Sequence, residues 1–133
     1  MLALPILLPA SLPARNGIAG DWQQDKIVNG VEFYHSIQSC SGKTVVLLKI
    51  INKNKYRVSA SWKELFVTKQ VSVQKEGVFG RKELALAPGE TMAGSCEDSS
   101  NRKLRVLPED VSPAYAATVQ QFEYSNLQVT TVP

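Results

Sequence analysis

Histidine and cysteine are scarce: the 133 residues hold one His and two Cys. That leaves too few ligands for a His/Cys zinc site. No apolar run of about 18 residues occurs, so the stretch contains no membrane-spanning helix. Eight Gly and seven Pro are too few for a collagen-like or low-complexity chain. The phosphate-cradling patterns GxxxxGKS/T and GxGxxG are missing. Gly94-Ser95-Cys96 is not the GxSxG elbow of a serine hydrolase. Helix-length amphipathic periodicity is absent too, and no repeat period emerges. What remains is an ordinary globular balance, 44% hydrophobic and 20% charged, in a chain of one domain's length.

The net charge is +3, from 15 Lys+Arg against 12 Asp+Glu. The densest basic stretch is Lys49, Lys53, Lys55 and Arg57, interrupted by Ile50, Ile51 and Tyr56. Nucleic-acid binders gather positive charge on one face. This spacing instead fits a solvated strand face and turn, so no nucleic-acid partner is expected.

Residues 1–20 stand apart from 21–133. Leu2 to Leu8 is apolar, and small residues and prolines follow, as in the core and exit of a secretory signal. No Lys or Arg precedes the run, as expected of a signal whose charged start is missing. Cleavage is expected after Ala14 or Ala19, and a disordered arm is the other reading. A secreted or periplasmic chain follows from the first. Cys40 and Cys96 each border a polar turn. In an oxidising compartment they can pair; in a cytosolic chain they are two unrelated thiols. Their spacing matches neither a redox CxxC nor a zinc pattern.

Strand signals recur along 21–133. Val31 to Ile37 alternates, with Val31, Phe33 and Ile37 on one face, and Ser41-Gly42-Lys43 makes a turn. Thr44 to Ile51 (TVVLLKII) reads as a strand buried on both sides. Asn52 to Lys55 reads as a hairpin connection. Tyr56 to Lys63 alternates, placing Tyr56, Val58, Ala60 and Trp62 inward. At Glu64-Leu65-Phe66 the phase slips, as at a bulge or strand end. Val67 to Val73 reads as a short edge strand, and Lys75-Glu76-Gly77 and Phe79-Gly80-Arg81 as turns. Pro88-Gly89 has the residues of a type II turn. Short strands are expected over Thr91–Cys96, Leu104–Leu107, Thr118–Tyr124 and Asn126–Val132, with a helical turn at Pro113–Ala117. Such a chain of about seven to eight strands is expected to be all-β, a single antiparallel β-sandwich; a small closed barrel is the rival.

VLLKIINKNKYRVSASWK and ELALAPGET together resemble bacterial extracellular immunoglobulin-like and fibronectin-type-III-like modules. The residues that carry the likeness are Ile50-Ile51-Asn52, Tyr56 to Trp62, and Leu86-Ala87-Pro88-Gly89-Glu90. Antibody domains are a poorer match, because Gly94 stands where their tyrosine corner precedes the second cysteine. The resemblance implies an immunoglobulin-like sandwich serving as a binding or structural module.

Catalytic chemistry finds little support. His35 is the only side chain suited to act as base at neutral pH, and a triad needs it beside Asp21, Asp25 or Asp110. It is expected near the surface of its strand. Glu64, Glu83, Glu90, Glu97, Asp98 and Glu123 offer no distinguished glycosidase pair. Glu97 to Asn101 collects oxygen ligands without EF-hand order. No catalytic residue, metal or cofactor is therefore assigned. Trp22 and Tyr34 are the candidate ligand-binding residues, since exposed rings stack on sugars or partner side chains. The expected function is a non-enzymatic exported module that binds a protein partner at the cell envelope; the alternative is a carbohydrate- or small-ligand-binding domain. A flat apolar patch or open sheet edge favours the first, and an aromatic-lined groove the second.

Overall fold

A computed structural model describes residues 21–133. The expectations for residues 1–20 lie outside the described residues. The fold is all-β, with two antiparallel sheets enclosing one core. The first sheet begins with β1 (Gln23–Val28), β2 (Val31–Cys40) and β3 (Lys43–Asn52). Two-residue turns join them: Asn29-Gly30 and Ser41-Gly42, all four residues at positive φ. Such turns match the twist of a hairpin. The Asn-Gly signal went unused in the sequence reading, and β1 was missed with it. β3 is central, with β2 on one side and both β7 (Thr91–Ala93) and β8 (Arg105–Val106) on the other. It is buried on both faces from Val45 to Leu48, as its unbroken apolar run requires.

The second sheet is built on β4 (Val58–Thr68). One edge of β4 pairs with β5 (Lys75–Glu76) and β6 (Lys82–Leu86), the other with β9 (Val119–Thr131). Between the sheets lie Val31, Phe33, Leu48, Ile50, Trp62, Phe66 and Leu86, all fully buried, with Phe122 and Tyr124 beside them. Cys40 and Cys96 form a disulfide, with Cα atoms 5.4 Å apart. A second, smaller cluster of Cys40, Val45 and Leu47 on the first sheet is covered by Trp22 and Leu107.

Several local readings are corrected. Asn52–Lys55 is not a hairpin: it carries the chain from the first sheet to the second. Asn52, fully buried, donates its Nδ2 protons to Tyr56 O (2.9 Å) and Ala87 O (3.0 Å), tying two inter-sheet connections together. Tyr56 therefore precedes the strand and is exposed. Gly89 (φ +72°) closes the expected turn, with Glu90 N donating to Ala87 O. The phase slip at Glu64 is not a bulge in β4. Alternation persists to Thr68, and Glu64 points inward because it has partners there. The bulge lies opposite, in β9 near Asn126 (φ +51°), and it fuses two expected strands into one. β4 ends at Thr68, residues 69–74 are loop, and Lys75–Glu76 pairs where a turn was expected. The helical turn, α1, is Pro108–Val111 rather than 113–117. Proline suits a first helical position, and Asp110 Oδ2 accepts from Leu107 N there (2.9 Å).

Candidate functional site

Trp22 and Tyr34 both flank Lys49 on the outer face of the first sheet. Lys49 pairs with Tyr34 across β2 and β3, and its Nζ lies 4.5 Å from the Tyr34 ring centre and 5.0 Å from that of Trp22. The ammonium is drawn to both π faces. The Tyr34 hydroxyl donates to Glu32 Oε1 (2.7 Å), which raises its pKa above the ordinary phenol value. Trp22 also covers the disulfide cluster. Lys49 thus engages both rings, and each ring is half-buried.

His35 is buried, against the expectation of a surface position. The register of β1 and β2 shifts between Gln24 and Lys26, leaving Asp25 as the extra residue. A bulge re-aims a side chain, and here Asp25 Oδ2 lies 2.6 Å from His35 Nδ1. Burial raises the Asp25 pKa, and the His35 hydrogen bond opposes the rise. Phe122 packs on the imidazole, with ring centres 5.1 Å apart. Of the three aspartates weighed as partners, Asp25 is the one in place; Asp110 caps α1. Among the described residues no hydroxyl or thiol is hydrogen-bonded to His35 Nε2, and both cysteines are bridged. The pair ties β1 to β2.

A third group surrounds β6. Strand alternation aims both Glu64 and Lys82 inward, and Lys82 Nζ lies 3.1 Å from Glu64 Oε2. Trp62 Nε1 donates to the same oxygen (3.0 Å), and Lys82 donates also to Lys103 O (3.2 Å). Burial pushes the Glu64 pKa up, while Lys82 and the Trp62 hydrogen bond pull it back. The outer side of this network opens into a cleft of about 410 Å³. Phe79, Arg81, Glu83, Arg102 and Lys103 line it with Lys82. Arg81 Nη1 donates to Ser61 Oγ (2.9 Å) and to the carbonyl of the bulge residue Asn126 (3.1 Å). Lys103 Nζ donates to Glu83 O (2.7 Å). Arg102 stands 3.8 Å from Asp110 and is 62% exposed.

Next to the cleft in sequence, the loop from β4 to β6 exposes large apolar side chains. Val71 is 39% exposed, Val73 70%, Val78 51% and Phe79 53%. Soluble surfaces scatter such residues singly; here four fall within nine positions. Their exposure is not among the expectations drawn from sequence. The signal was present as Val78-Phe79 between Gly77 and Gly80, an apolar pair on a tight turn. Gly77 is needed there, since a Cβ would come within 2.9 Å of the Phe66 ring.

Among the described residues no group of three or more His, Cys, Asp or Glu is placed to hold a metal ion. No described helix is long and apolar enough to cross a membrane. Comparison with known protein families, curated proteins and solved structures found no match.

Proposed function

We propose that the protein is an exported, non-catalytic, immunoglobulin-like module that binds a protein partner at the cell envelope. The observation that carries this reading is the exposed apolar loop Val71, Val73, Val78 and Phe79. Burying these side chains against a partner releases water from apolar surface at roughly 25 cal/mol per Å². Their loop is braced by β5 and by Val78 N donating to Asp110 O (3.1 Å), which lowers the ordering cost of docking. The disulfide favours an oxidising compartment. A carbohydrate-binding role is the alternative; against it, Lys49 already engages the Trp22 and Tyr34 rings.

A photo-crosslinking residue placed at Val73 in native cells tests the reading. The expected result is a discrete protein adduct that Phe79→Ser or Val78→Ser removes and that a crosslinker at exposed Lys55 does not give. Adducts that are identical at both positions, or absent at Val73, refute it.

A further inference from the structure

We infer that the cleft beside β6 is a binding site for a phosphate or sulfate monoester carried on an apolar ring. Surface cations are usually mobile, and fixing them for a ligand costs entropy. Three here are already held. Arg81 is fastened through Nη1 to β4 and β9, Lys103 through Nζ to β6, and Lys82 by Glu64 and Lys103 O. Arg81 keeps Nε and Nη2 without a partner among the described residues, a fork that suits two oxygens of one anion. Lys103 keeps two ammonium protons, and Arg102 is too far from Asp110 for a hydrogen bond.

Charge points the same way. The cleft is lined by four cations and one carboxylate, Glu83. Glu64 compensates Lys82, and Asp110 lies nearest Arg102; Arg81 and Lys103 face no carboxylate within ion-pair distance among the described residues. Glu83 is partly occupied, its Oε2 accepting from Ser59 Oγ (2.7 Å). Arg81, Arg102 and Lys103 all line the cleft, and three cations suit a monoester with three terminal oxygens better than a carboxylate with two. Phe79, with Lys82 Nζ 5.5 Å from its ring centre, is half-exposed on the wall, and that exposed part supplies apolar surface for the ring. About 410 Å³ holds one ring with its anionic group.

Calorimetric titration of the intact, disulfide-bonded protein with phenyl phosphate, phenyl sulfate and inorganic phosphate tests the site. Phenyl phosphate or phenyl sulfate is expected to saturate one site, about tenfold tighter than inorganic phosphate, and to weaken as salt rises. The ester that binds more tightly identifies the natural class. Phe79→Ser is expected to abolish the advantage over inorganic phosphate. Arg81→Gln and Lys103→Gln should each weaken binding about tenfold, and Lys55→Gln should leave it unchanged. The Lys103 side chain makes a single exposed hydrogen bond, to a backbone carbonyl, and substitution leaves its backbone bonds in place, so Lys103→Gln reports on the site even where Arg81→Gln unfolds. Absence of saturable binding by either ester overturns the inference, as does Lys103→Gln binding as tightly as the parent. Because the probes are small molecules, these results stand apart from the crosslinking at Val73.

Discussion

Breaking the buried Glu64–Lys82 pair from one side should be costly, and removing both charges should not. Both side chains are more than nine-tenths buried, and they meet at 3.1 Å. Removing one partner strands a charge in low dielectric, a loss of about 3–5 kcal/mol. Glu64→Gln should fall near the low end, because an amide oxygen still accepts from Trp62 Nε1 and Lys82 Nζ. Lys82→Met leaves the carboxylate with Trp62 alone. For a domain of this length each kcal/mol moves Tm by about 4 °C, so the single variants should melt some 12–20 °C lower. The double variant Glu64→Gln/Lys82→Met carries no stranded charge and keeps an acceptor for Trp62. It should lie within about 1 kcal/mol of the parent or above it. The linkage has a definite sign. The folded pKa of Glu64 is raised above its ordinary 4.5, so its contribution is fully present below that value and is lost as pH rises through the folded value. Burial is the leading cause, and Lys82 opposes it; Lys82→Met should therefore steepen the loss and regain stability on acidification. Thermal melts and urea denaturation of the four proteins, disulfide intact, at neutral and acidic pH measure all of this. Two single variants as stable as the parent, or losses that merely add in the double, would refute the reasoning.

Four further outcomes are expected. Reducing the Cys40–Cys96 bridge, which spans 56 residues, should cost about 4 kcal/mol in the chain-entropy account, read as a shift in urea midpoint with and without reductant. Trp62→Ala empties a fully buried site and should cost about 3–5 kcal/mol by the same assay; a neutral result would place the indole outside the core. Gly94→Ala should destabilise more than Gly89→Ala in thermal melts. A Cβ at Gly94 falls on the backbone carbonyl of Leu104, whereas at Gly89 it meets open space and only the positive φ, at about 1–2 kcal/mol, opposes it. The unreduced mass of the protein from its native cells should correspond to a chain starting near Arg15 or Gly20 and lacking two hydrogens. A full-length chain with two free thiols would end the export reading.

Recurring strand patterns separated by turn residues determined that residues 21–133 are all-β, and period-two alternation that Val31 and Phe33 share one face and that Trp62 faces inward, because burying one face of a strand needs only local order. The apolar run Val45–Leu48 likewise determined a central strand, since adjacent strand positions point to opposite faces and both must be covered. Which turn is a hairpin and which a crossing was decided by tertiary structure. Asn52–Lys55 has hairpin residues, but β4 finds its partners in β6 and β9, on the other sheet. The inward Glu64 looked like a break in phase for a related reason. Its partner Lys82 lies eighteen positions away, and a buried charge makes sense only once that partner is in place. His35 and Asp25 meet through a one-residue bulge that no spacing rule reveals. The cleft joins Arg81 to Arg102 and Lys103 through folding, because β6 and the turn before β8 come together only when both sheets have closed on the core. Sequence periodicity sets which way each strand faces; the geometry of long-range pairing sets which side chains meet.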